Sequence, residues 1–413
     1  MRASSAGRLR GTGHVPPRRA ALCQAAAICQ RHARGLSLRR RSWIGSRPQG
    51  LVKGLAGNRG PEHLATACRL PERHDRFPDH PAGSATRAPD EDLTYAKIRL
   101  DERSLETATE HLAELTDPLA RAITWAALWD MLRDAEIPAR LYLPLILNNI
   151  RGETDIGVVQ DLLAQASSAV WIYGDPTNAD SALQILAEHA LRALDGAPPG
   201  SDLQLSWAHA FIGAARSPEH LSVVRGLLDG IKVFTGLKVD TDLRWALVGA
   251  LAGVGADDGL IDAELKRDPT DDGQRHAAAA RAARPTVEAK EQVWASLIED
   301  LTLPLATMRS MMRGFHRFDQ RPLLEAYSAR YFGALANFWK ERDIEIGLAF
   351  ARMMYPTVLV GDDTVRATER YLTGKDVPGP IRRVLLEAKD NMERAMRGRA
   401  VDAAAAAGDR IPA

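Results

Sequence analysis

The sequence predicts an all-α protein, an α/α superhelix of the HEAT-like solenoid type, preceded by a disordered basic segment. Three observations carry that expectation. From Asp90 onward apolar residues recur at intervals of three and four in successive blocks, the period of a helix with one buried face. The blocks are short, and helical hairpins recur roughly every 35–45 residues without strict identity, as in arrays whose hairpins bury their faces on one another. Strand signals are scarce, and the best is Ile231–Leu237, around Val233 and Phe234. That stretch is too short to seed a sheet and reads as a helix–helix connection.

Each element has its own signals. Asp101–Leu115 places Leu105, Ala108, Leu112 and Leu115 on one face. Asp117-Pro118 then offers a capping carboxylate and a proline for the first helical position, where a missing N–H costs nothing. Leu119, Ile123, Ala126, Ala127 and Met131 line that helix, and Leu183, Leu186, Ala187, Ala190 and Leu194 line a later one. Ser217-Pro218-Glu219 repeats the start signal, Leu221, Val224, Leu227 and Leu228 form the stripe, and Gly230 ends it. Asp240 or Thr241 opens a helix bearing Leu243, Ala246, Leu247, Ala250, Leu251 and Val254, and Gly255 closes it. Thr286 starts a stretch through Ala289, Val293 and Leu297. Residues 398–413, with Ala403–Ala407, read as a frayed tail.

The 413 residues carry a net charge of +1, which conceals a division. Residues 1–89 hold sixteen arginines and one lysine against Glu62, Glu72, Asp75 and Asp79, so the remainder is net acidic. Three origins suit this Gly- and Pro-rich segment: a targeting sequence, a phosphate-neutralising arm, or GC-rich DNA read out of frame. The abrupt change of texture at Pro89–Asp90 and the lack of internal pattern favour the last. Only Trp43 and Phe77 could stack on bases, and they are isolated, so no nucleic-acid partner is expected. Cys23, Cys29 and Cys68 all lie in this segment. The body therefore has no disulfide framework or thiolate metal site, which suits the cytoplasm. No apolar run reaches the ~18 residues of a membrane span, so no membrane partner is expected. The divisions are 1–89, a helical domain over 90–397, and the tail.

Catalytic signatures are lacking. The body's histidines, His111, His189, His209, His220, His276 and His316, include no pair one helical turn apart, as a zincin requires. Each reads as a surface or core-edge residue. Gly253-Val254-Gly255-Ala256-Asp257-Asp258-Gly259 follows a helix, not a strand, and reads as helix-stop glycines rather than a nucleotide loop. Asp268–Gly273 resembles a calcium loop but has Ala279 where a bidentate glutamate belongs; it reads as a helix cap. No catalytic residue and no metal ligand is assigned. Trp125, Trp129, Trp245, Trp294 and Trp339 fall on helical stripes and read as core. One set stands out for binding. Arg309, Arg313, Arg317 and Arg321 recur every four residues and would align on one side of a helix that continued past Gly314 to Pro322. Such a row is either a solvated face or a basic surface that receives carboxylates.

Four stretches, Asp92–Asp101, Asp117–Met131, Asp240–Leu247 and Arg275–Thr286, resemble the C-terminal domain of actinobacterial aminopeptidase N, of the M1 family of zinc aminopeptidases. The resemblance covers roughly Asp90–Arg397 in consistent order. It implies a full-length enzyme that releases N-terminal residues from peptides, with zinc, exopeptidase and transition-state residues in a separate catalytic domain. It also implies a helical bowl that closes over the active site, limits substrate length and contacts the peptide. This chain has neither the exopeptidase nor the zinc motif, so the resemblance implies zinc only for the full-length family and no cofactor here. The expected function is that of a substrate-gating domain without its catalytic half, inactive alone, with a peptide substrate or a separate catalytic half as partner. The alternative is a stand-alone α-solenoid scaffold for peptides or proteins.

Overall fold

The computed structural model describes residues 97–408, apart from 257 and 375, together with the main chain of 68–69. The expectation for residues 1–89 otherwise lies outside the described residues. Within them sixteen α-helices follow one another. These are α1 (Glu102–His111), α2 (Pro118–Arg133), α3 (Ala139–Asn149), α4 (Ile156–Ser168), α5 (Ala179–Gly196), α6 (Asp202–Ala214), α7 (Pro218–Asp229) and α8 (Thr241–Gly253). The second half comprises α9 (Leu260–Arg267), α10 (Asp271–Ala283), α11 (Val287–Glu299), α12 (Leu305–Phe315), α13 (Arg321–Glu341), α14 (Ile344–Met353), α15 (Asp362–Leu372) and α16 (Gly379–Ala406). Strand structure among the described residues is one antiparallel pairing, β1 (Cys68–Arg69) with β2 (Arg99–Leu100).

The helix boundaries follow from local chemistry. Asp101, Asp117, Asp155, Ser201, Ser217, Asp240, Thr270, Thr286 and Asp343 each accept a main-chain N–H from the first turn of the helix they precede. A cap of this kind is worth about 1 kcal/mol. Gly230 ends α7 at φ +74° and Gly255 follows α8 at φ +80°, a region open to a residue without a Cβ. The calcium-like loop is a cap: Thr270 Oγ1 accepts from Gly273 N, and Asp268 accepts from Thr270 Oγ1 and Trp245 Nε1. Ile231–Leu237 is the connection between α7 and α8.

Packing alternates along the chain. Helix α6 packs on α4 and α8, α8 on α10, α10 on α12, α12 on α14, and α14 on α16. Helices α11, α13 and α15 pack in the same skip-one order. The buried hydrophobic core runs from Leu100 to Ala395 in two clusters that adjoin at the alanine-rich α10. Small side chains bring backbones close there: a Cβ on Gly314 of α12 would meet Ala279 O of α10 at 2.1 Å.

The series then closes on itself. The last helix, α16, packs on α14 and α15 and also reaches α2, α3 and the π-helical turn Ala169–Tyr173 that extends α4. Residues 398–406, expected to be a frayed tail, are part of this helix, and Asp402 is 1% exposed. The alanine run favours helix, and buried contacts with the first helices order it; residues 409–413 lie outside the described residues.

Candidate functional site

Helix α12 stops at Phe315, capped by an extended His316, so the four arginines do not share one helix. Arg309 and Arg313 lie exposed on α12, and Arg309 pairs with Glu345 at 2.9 Å. Arg317 lies in the connection that follows, and Arg321 opens α13. The intervening residues, Phe318–Gln320, form a 3-10 turn.

The structure gathers other groups around that connection. Arg317 grips Asp319 with two hydrogen bonds, Nη2 to Oδ2 at 2.8 Å and Nε to Oδ1 at 3.1 Å. Arg216, just beyond α6, places Nε 3.0 Å from Asp319 Oδ2, an ion pair not aligned as a hydrogen bond. One carboxylate thus stands between two guanidinium groups. Burial pushes the Arg216 pKa down, opposed by Asp319, while Arg317 adds to the fall. Arg216 also sits 5.7 Å over the Trp171 ring, and Trp171 stacks on Phe318 at 5.7 Å and 17°. On α16, Arg399 donates to Trp171 O and Ile172 O at 2.9 and 3.1 Å, taking carbonyls at the end of the π-helical turn. Its pKa is lowered to about 10 by burial and by Arg321. Four guanidinium groups and a half-buried aromatic pair therefore converge from α6, α12, α13, α16 and the π-helical turn.

Behind this surface three helices end together. Their last carbonyls have no partner within the helix and carry the negative end of its dipole. Gln320 Nε2 donates to Gly253 O of α8 and Ala283 O of α10, both at 2.8 Å. Lys290 Nζ donates to Ala282 O of α10 at 2.7 Å and to Phe315 O of α12 at 3.1 Å. Lys290 is 0% exposed, and burial, with Arg317 next, lowers its pKa to about 7. His316 lies at the edge of the core, as expected, with its ring turned inward. Both its ring nitrogens are buried without a hydrogen bond, and burial, with Lys290 nearby, lowers its pKa to about 4. The Arg317 guanidinium covers Gly253, where a Cβ would stand 2.4 Å from Cζ.

Arg216, Arg399, Trp171, Lys290 and Gln320 carry no spacing that marks them in the sequence. The signal that was present is Phe315–Arg321, a connection dense in ionisable and aromatic residues, since binding groups concentrate on loops held by rigid elements.

Chemically, the cluster can receive an anion and rest an apolar group on Trp171 and Phe318. Among the described residues no three His, Cys, Asp or Glu side chains gather as metal ligands, so the donor set does not fit zinc. No helix among them is long and apolar enough to cross a membrane.

Fold and site together define a helical-array domain in which four guanidinium groups cluster beside the Trp171–Phe318 pair. The ERAP1-like C-terminal domain family matches residues 90–394, and the chain belongs to that family. It is 48% identical over 318 residues to the aminopeptidase N of Streptomyces lividans, an alignment covering 77% of this chain and 37% of that protein. The chain therefore spans little more than a third of its relative's length, and its helical array is the C-terminal domain of an aminopeptidase N of actinobacterial type.

Proposed function

We propose that this domain gates and holds peptide substrates for a zinc-dependent M1 aminopeptidase, and that it has no hydrolytic activity by itself. The observation that carries the reading is the convergence of Arg216, Arg317, Arg321 and Arg399 beside Trp171 and Phe318. Together with the kinship to aminopeptidase N, it supports a surface for the carboxylates and apolar side chains of an extended peptide. Arg317 and Arg321 are the substrate-facing members of the original four. Arg313 lies exposed on α12, and Arg309, on the same helix, is engaged by Glu345. The zinc and the scissile bond belong to a separate catalytic half, which would be the domain's partner. The cysteine-free body fits action in the cytoplasm.

The test has two arms. An amino-acid anilide incubated with the purified chain and zinc should not be hydrolysed; zinc-dependent turnover would overturn the proposal. An extended peptide with a free carboxyl terminus should bind at least tenfold more tightly than its amide, since a charge-assisted pair is worth about 1.5–3 kcal/mol. Equal affinity, or none, would remove the arginine cluster from substrate binding.

A further inference from the structure

The groups that fasten the Phe315–Arg321 connection have no role in the reading above. The connection is held from beneath at two points. Lys290 Nζ takes Phe315 O, the last carbonyl before the chain turns, while also taking Ala282 O. Gln320 Nε2 takes Gly253 O and Ala283 O five residues further on. Between these points the chain carries His316, Arg317 and Asp319. The ends of α8, α10 and α12 are thereby tied together by two side chains.

The two fasteners differ in one respect. Gln320 cannot change charge, whereas Lys290 can, and it is fully buried. A neutral amine has two N–H groups, and the site offers it two carbonyls. An ammonium has a third N–H beyond those two bonds, and the Phe315 ring centre lies 5.5 Å from Nζ. The charged groups that face Lys290 belong to the connection itself: His316, Arg317 and Asp319. Helix α10 offers only carbonyls, since its Arg281 pairs with Asp262 at 2.7 Å. On Lys290's own helix, Glu291 is engaged by Arg330 and Tyr327.

We propose that Lys290 is a positioning residue for the arginine cluster, and that its proton state sets how firmly the Phe315–Arg321 connection is held. With a neutral amine the connection is closed, with Arg317 seated on Gly253 and shared with Asp319. A proton on Nζ places an ammonium beside the Arg317 guanidinium in a fully buried site. Opening the connection relieves both the burial and the repulsion. The closed fraction therefore falls as pH is lowered from the ordinary lysine value of 10.5 towards 7, and levels off below that. Lys290's lowered value, about 7, sets the lower edge of that window, and His316, at about 4, stays neutral across it. The role of the cluster in holding a peptide rests on the function proposed above; the fastening does not.

Amide hydrogen exchange on the full chain between about pH 6 and 9.5 tests this, with rates corrected for intrinsic exchange. Protection at residues 316–321 should fall by up to about tenfold for each pH unit lowered from about 9.5 to 7, the slope for one proton, and level off below 7. Lys290→Met should remove the dependence, and Lys290→Arg should hold the segment at the low-protection level throughout. A flat wild-type profile would overturn the proposal, as would a pH dependence that survives in Lys290→Met. If neither variant folds, the wild-type profile alone decides. Titrating the free-carboxyl peptide over the same range separates the two readings. Exchange that follows pH without peptide binding removes the substrate role and leaves the fastener; peptide binding with flat exchange does the reverse.

Discussion

The buried carboxylate of Asp402 accepts the main-chain N–H of Arg140, 262 positions earlier, at 2.7 Å, and the guanidinium of the same residue at 3.3 Å. Its other oxygen accepts Asp175 N at 2.9 Å. One side chain near the end of the chain therefore completes the start of α3 and the turn after the π-helical segment. Arg394, on the same helix, pairs with Asp134, which Lys97 and Arg99 also engage. Burial opposes the Asp134 charge, but these three cations outweigh it and hold the carboxyl below its usual range.

Asp402→Ala should lower stability by about 2 kcal/mol, because it leaves two main-chain N–H groups and a partly buried guanidinium short of an acceptor. The loss should appear as a lower midpoint in urea unfolding. A change within experimental error would show that the closure of α16 on the first helices adds nothing to stability.

Two glycines near the site should respond differently to alanine. At Gly253 the obstructing group is the Arg317 guanidinium, the far end of a flexible side chain. Gly253→Ala should therefore cost under about 1 kcal/mol in stability while weakening binding of the free-carboxyl peptide severalfold. Unfolding and binding measured on one preparation would separate the two effects.

At Gly314 the obstructing atom is Ala279 O, a main-chain carbonyl 2.1 Å from the added Cβ. Neither α10 nor α12 can yield there without moving as a whole. Gly314→Ala should cost about 3 kcal/mol, the upper end of overpacking penalties. A melting temperature equal to that of Gly253→Ala would contradict this account of the α10–α12 contact.

Stability should rise with pH in two windows. His316 has a folded pKa of about 4 against an ordinary 6.5, so the unfolded chain binds the extra proton between those values. Lys290, at about 7 against 10.5, does the same from pH 7 upward. Stability increases with pH wherever the unfolded chain holds more protons, at up to about 1.4 kcal/mol per pH unit for one group. Tyr142 and Tyr331, pushed well above 10 by burial, reverse the trend at higher pH. The clean window is therefore about pH 7–9.5. There, the unfolding free energy of wild type minus that of Lys290→Met should climb with pH, and a constant difference would refute the assignment.

Much of the fold was legible because it is local. Asp117-Pro118, Ser217-Pro218 and Thr286 mark helix starts that depend on one side chain reaching an N–H two or three residues on. Gly230 and Gly255 mark stops that depend on one backbone angle. The arginine row was half legible. Spacing at every fourth residue suggested one face, but Gly314 and Pro322 bracket a break, and the helix ends at Phe315. Residues 398–406 were misread as a tail because an alanine run has no stripe of its own; Asp402 orders it through partners more than 220 residues away.

The sequence by itself determined that this chain is a series of short capped helices, because caps, stops and apolar stripes act within a few residues. Kinship to aminopeptidase N was likewise readable from four stretches of the helical body. Only the tertiary structure decided that α16 returns to the first helices, and that Arg216, Arg317, Arg321 and Arg399 meet over Trp171 and Phe318. It alone placed Lys290 under the connection. The reason is physical: burial and ionic partners arise where helices far apart in the chain pack, and no periodicity within one helix encodes which distant helix it will meet.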